Sequence, residues 1–174
     1  RGGTLEIESV RTGNAWELAV QGVPVGGPGR AGRGGEAAIP DQDVAQVAQS
    51  WPAGDIDVRL GFYRVQAQQK WTITPMRSAG GYPGSPYFKI TIAGTDRALA
   101  ATEDGELVAV PVFSGEPEQL WRLDQLTDGT YRIMPKMGRK VKEPLALSAI
   151  GASSVILAKF RPDSEKMRWL LKSP

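Results

Sequence analysis

The chain has 174 residues, 41% hydrophobic and 23% charged, which suits one globular domain with room for a substantial core. The absence of cysteine excludes disulfides and thiolate chemistry, and the absence of histidine excludes a serine–histidine–acid triad and a histidine-ligated zinc site. A net charge of +2, from 21 basic and 19 acidic residues, is too balanced to mark a nucleic-acid binder. No apolar run is long enough to cross a bilayer, no motif asks for a metal or cofactor, and the start at Arg1 leads to the expectation of a soluble, processed or secreted protein.

In chain order, residues 5–10, 16–20 and 56–63 read as strands that lead to Trp71. Residues 87–92, 98–100 and 106–113 lead in the same way to Trp121, and residues 131–133, 145–147 and 155–160 to Trp169. Turn residues separate them, among them Asp104-Gly105, Gly115 and Asp128-Gly129. The three tryptophans recur at spacings of 50 and 48 residues, each near the end of an apolar run. Their contexts agree: Gln69-Lys70-Trp71, Gln119-Leu120-Trp121 and Met167-Arg168-Trp169. Repetition at such a period means one supersecondary unit used three times. Three units of four strands predict an all-β chain of twelve strands, most simply a β-trefoil over residues 1–174. Its repeats would span about 4–80, 86–126 and 129–172, and its tryptophans would meet in the core.

Symmetry breaks once. The second and third strands are joined by Glu103-Asp104-Gly105 in repeat two and around residues 150–153 in repeat three, but by an insertion of about 22–55 in repeat one. A connection of that length is normally functional. Residues 26–35 are glycine-rich, and Arg30 and Arg33 are the two charges on this tip. Asp41 or Asp43 is placed to cap a short helix over residues 44–49, with Val44, Val47 and Trp51 on one face to dock the return leg on the barrel. Residues 136–142 carry four positive charges in seven positions and read as a solvated loop, and Tyr82 lies in a turn-rich connector.

The two Gln-x-Trp segments resemble the signature of ricin-B-type trefoils. The cysteine-free layout is similar to that of fungal trefoils, both lectins and the mycocypin and cospin groups of protease inhibitors. The segment Asp128-Gly129-Thr130-Tyr131-Arg132-Ile133 resembles the opening strand of those inhibitors. The cospin resemblance implies a loop-presenting protease inhibitor in which Arg30 or Arg33 enters the acidic pocket of a trypsin-like enzyme. The ricin-B resemblance implies the alternative, a lectin. Such a sugar site needs a carboxylate at the second strand to accept hydroxyl hydrogen bonds, an aromatic ring for the apolar sugar face, and an amide. The corresponding segments, taken around residues 20–22, 100–102 and 147–149, contain no aspartate. Glu103, Asp104 and Phe113 then form the one conventional sugar site to be expected. The missing aspartates and the long insertion favour the inhibitor, with a protease as partner and a glycan as the alternative partner. Nothing nominates a catalytic carboxylate pair, so no enzyme activity is expected.

Overall fold

A computed structural model describes residues 3–20, 47–82, 85–136 and 143–174. Among these, twelve strands fall into three sets of four. Repeat one supplies β1 (Thr4–Ser9), β2 (Ala15–Leu18), β3 (Ile56–Gly61) and β4 (Trp71–Tyr82). Repeat two supplies β5 (Ser85–Ile92), β6 (Ala98–Ala101), β7 (Leu107–Val110) and β8 (Trp121–Gln125). Repeat three supplies β9 (Tyr131–Pro135), β10 (Leu145–Ile150), β11 (Ser154–Lys159) and β12 (Trp169–Lys172).

The first and fourth strands of the repeats pair in a ring, β1–β4–β5–β8–β9–β12, and β12 pairs again with β1. Closure removes the exposed edges that an open sheet would present. The second and third strands form the hairpins β2–β3, β6–β7 and β10–β11. These hairpins meet through their third strands, by pairing of Ile56 with Ala109 and by an isolated bridge between Glu106 and Ile156. This is a β-trefoil, as the repeat predicts.

Each tryptophan opens its repeat's fourth strand instead of lying near the end of a run. A 3-10 turn precedes it every time, Ala67–Gln69, Pro117–Gln119 and Glu165–Met167, and turns the indole inward. Trp71, Trp121 and Trp169 are fully buried, and the indole Nε1 of each donates to a second-strand carbonyl: Trp16 at 3.1 Å, Leu99 at 3.0 Å and Leu147 at 3.0 Å. Burying about 200 Å² of ring contributes roughly 5 kcal/mol per tryptophan before entropy is subtracted. The hydrogen bond spares the indole N–H a desolvation cost. Trp16, the residue in register with Leu99 and Leu147, is itself fully buried. It meets Trp71 edge-on at 5.8 Å and Trp169 at 5.5 Å, so the core is heavier on the repeat-one side.

The glutamine of Gln-x-Trp closes the loop before the 3-10 turn. Gln69 Oε1 accepts from Arg64 N at 2.8 Å, and Gln119 Oε1 from Ser114 N at 2.7 Å. In repeat three Met167 Sδ accepts from Arg161 N at 3.3 Å, which explains how a thioether stands in for the amide. The return leg of the insertion docks as expected. Trp51 is buried in the core cluster and Val47 and Ala48 pack against it. The buried Arg97 guanidinium donates to the carbonyls of Pro52 and Gly54, and burial lowers its pKa. Residues 47–49 are helical. Arg30, Arg33, Asp41, Asp43, Val44 and the basic stretch after Lys136 lie outside the described residues. Lys136 itself donates to the Ala79 carbonyl at 2.6 Å and lies 5.0 Å from the Tyr87 ring.

Candidate functional site

The indole hydrogen bonds fix the alignment of the second strands. Ala15-Trp16-Glu17-Leu18 is in register with Ala98-Leu99-Ala100-Ala101 and with Ala146-Leu147-Ser148-Ala149. The position after the hydrogen-bonded residue is therefore Glu17, Ala100 or Ser148. The repeat-one counterpart is Glu17, not the segment around Val20, and it carries a carboxylate. Its strand partner across β2–β3 is Arg59, where the other repeats place Val108 and Ile156. Repeat one alone is thus ionic at this place.

Glu17 is held on both oxygens. Gln69 Nε2 donates to Oε1 at 2.9 Å and Arg59 Nε donates to Oε2 at 2.8 Å. The same Gln69 amide donates to the Phe62 carbonyl at 2.8 Å. Gln69 is fully buried and rigid, while the Glu17 side chain keeps 14% exposure. The Phe62 ring, next along the chain from β3, is 73% exposed. Gly61 makes the space: a Cβ there would sit 2.4 Å from Glu17 Oε2 and 2.7 Å from Oε1. In the turn that follows, Val65 adopts a φ of 60°, in the left-handed region where a β-branched residue is strained by about 1–3 kcal/mol. One buried side chain, Gln69, therefore ties the carboxylate of Glu17 to the backbone of Phe62, whose ring is exposed.

The site expected from sequence in repeat two is not assembled. Glu103 and Asp104 are exposed on the β6–β7 turn, beyond the Ala101–Leu107 pair. Phe113 lies past the opposite end of the hairpin, where its N–H donates to the Asp96 carbonyl at 3.0 Å. The paired strand between them spans about 10 Å. Phe113 instead faces Lys89, whose ammonium lies 5.2 Å from the ring centroid. Phe160 is matched by Arg132 at 4.3 Å. The register of the first and fourth strands makes Glu6 the counterpart of Lys89 and Arg132. Glu6 is buried, and burial together with the neighbouring Glu8 pushes its carboxyl up to about 7. Burial, with Glu6 nearby, pushes the Tyr63 phenol up to about 12. Among the described residues no group of acidic side chains is arranged to hold a metal ion.

Residues 67–149 match the family model of the ricin-type beta-trefoil lectin domain-like proteins. The chain is a β-trefoil, and a little less than half of it carries the resemblance to the ricin-type domains. Among solved structures it is similar to ThreeFoil, a designed threefold-symmetric protein, with 17% identity, a TM-score of 0.64, and 98% of this chain and 99% of that one covered. The β-trefoil lectin of the Vibrio vulnificus hemolysin/cytolysin, solved with N-acetyl-D-lactosamine bound, shares 11% identity at a TM-score of 0.64, covering 99% and 95%. SeviL, solved with asialo-GM1 saccharide, shares 14% identity at a TM-score of 0.58, covering 100% of both chains. At these identities the likeness shows the fold. No curated protein matches the chain in sequence. No helix among the described residues is long and apolar enough to cross a membrane.

Proposed function

We propose that this protein binds carbohydrate without turning it over, through a site in repeat one built on Glu17, Gln69 and Phe62. The observation that carries the reading is the Gln69 amide, which joins the second-strand carboxylate to the backbone of an exposed aromatic residue. A carboxylate accepts hydrogen bonds from two sugar hydroxyls, and these charge-assisted bonds are the strong ones. The Phe62 ring supplies the apolar surface on which the C–H face of a sugar packs. Ala100 and Ser148 offer no carboxylate at the equivalent places, so one strong site is expected where threefold symmetry would allow three. The ricin-type family match and the sugar-bound trefoil neighbours support a glycan as partner. They favour this reading over the loop-presenting inhibitor, whose Arg30 and Arg33 lie outside the described residues.

A glycan array with the purified chain and its Glu17→Ala variant tests the assignment. The parent protein is expected to give hits that the variant loses, while Asp104→Ala keeps them. Hits that survive Glu17→Ala and vanish with Asp104→Ala place the site on the β6–β7 turn instead.

A further inference from the structure

Beside the Glu17 site, the three third strands enclose a cleft of about 280 Å³ where the repeats meet. Its polar wall comes from all three: Asp57 and Arg59 on β3, Glu106 just before β7, and Ser153 and Ser154 at the start of β11. Its floor is the buried apolar trio Val58, Leu107 and Val155. Backbone bonds lock the walls together: Leu60 N to Ser153 O at 2.8 Å, Leu157 N to Gly105 O at 2.7 Å, and Ala19 N to Asp57 O at 2.7 Å. The cleft is therefore preformed, and a ligand entering it orders little.

We propose that this cleft is a second sugar subsite, taking the next unit of an oligosaccharide whose first unit sits on Glu17, and that it discriminates against acidic sugars. The inference rests on the carbohydrate reading and extends it. Continuity comes from β2 and β3. Glu17, Ala19, Asp57, Arg59 and Gly61 share the face away from the core, because strand residues two apart point the same way. Asp57 lies two residues from Arg59, about 7 Å along the strand. Arg59 belongs to both places, since it bonds Glu17 and lines the cleft.

The discrimination follows from charge. The Arg59 guanidinium is matched by Glu17, whereas Asp57 and Glu106 form no ion pair among the described residues. The cleft thus has a negative balance inside a chain of net charge +2. Two free carboxylates and two serine hydroxyls accept and donate hydrogen bonds to hydroxyls or an acetamido group. A carboxylated sugar placed among them meets like charge at short range.

The test is an ¹⁵N NMR titration of the full chain with galactose, N-acetyllactosamine and galactosyl-glucuronic acid, in which a uronate takes the place of the N-acetylglucosamine unit. The amides of residues 17, 62 and 69 report the first subsite, and those of 106 and 153–155 report the cleft. With galactose only the first group is expected to shift. With N-acetyllactosamine both shift, and affinity rises about tenfold. The galactosyl-glucuronate is expected to bind about tenfold more weakly than N-acetyllactosamine, and the Asp57→Asn/Glu106→Gln variant, altered only at exposed positions, to close most of that gap. Cleft amides that stay still while N-acetyllactosamine shifts the first group overturn this proposal and leave the carbohydrate reading intact. If neither group shifts with any of the three sugars, both fall.

Discussion

Gly61→Ala separates the proposed binding role of Glu17 from its part in stability. The added methyl would stand 2.4 Å from Glu17 Oε2 and 2.5 Å from Cδ, closer than any real contact, so the carboxylate must swing away. That movement breaks the bonds from Gln69 at 2.9 Å and from Arg59 at 2.8 Å. The first is worth about 1 kcal/mol, and the second, with Arg59 48% exposed, at most about 1 kcal/mol. Gln69 keeps its bond to the Phe62 carbonyl and is not orphaned. Gly61 is not among the positive-φ positions, so alanine restricts the unfolded chain and returns about 0.5–1 kcal/mol. The net change in stability is therefore about 1 kcal/mol or less, a shift of a few degrees in Tm. Binding behaves differently. Displacing a carboxylate that accepts two sugar hydroxyls removes about 2–3 kcal/mol, a loss of roughly 30–150-fold in affinity. Calorimetric titration of the variant with a glycan found by array, beside a thermal melt, reads both quantities. Undiminished affinity in a folded Gly61→Ala protein would refute the assignment of Glu17 to the sugar.

Other substitutions probe the rest of the structure. Phe62→Ala removes a ring that is 73% exposed, so stability by chemical denaturation stays within about 0.5 kcal/mol while glycan affinity falls about five- to tenfold. Trp121→Phe leaves the Leu99 carbonyl without its 3.0 Å donor and opens a small void, costing about 2–3 kcal/mol and lowering Tm by about 5–10 °C in a thermal melt. Glu6 makes the fold favour acid. Its folded pKa, about 7, lies above the ordinary value of 4.5, so the native state holds the proton more tightly than the unfolded chain. The resulting stability is fully present below about pH 4.5 and is lost as pH rises through 7, about 3 kcal/mol across the window. Glu6→Gln, neutral at every pH, is expected to flatten the stability profile over this range, and an unchanged slope in urea melts from pH 4.5 to 7.5 would discount the buried carboxyl as its source.

The fold was legible because its determinants are local and repeated. Tryptophan is costly to place anywhere but a core, and the Gln-x-Trp pair needs both residues for one job, closing a loop and aiming an indole. Those constraints survive even where Met167 replaces the amide, since a thioether still accepts the Arg161 N–H. The proposed sugar site was harder to see, for two physical reasons. First, a glutamate fills the place where an aspartate is sought, and the longer side chain reaches Gln69 only because Gly61 leaves room for it. Second, the repeat-one strand ends at Leu18, two residues before the start of the segment used for comparison, because the chain departs there into the insertion. The clue lay in Ala15-Trp16-Glu17, Ala98-Leu99-Ala100 and Ala146-Leu147-Ser148, where alanine and a large apolar residue precede the site position in all three repeats. Glu103, Asp104 and Phe113 show the converse limit. Proximity in sequence across a hairpin does not bring side chains together when paired strand separates them. Only the register tells the two cases apart, and in repeat one it joins residues 17 and 69 across 52 positions of chain.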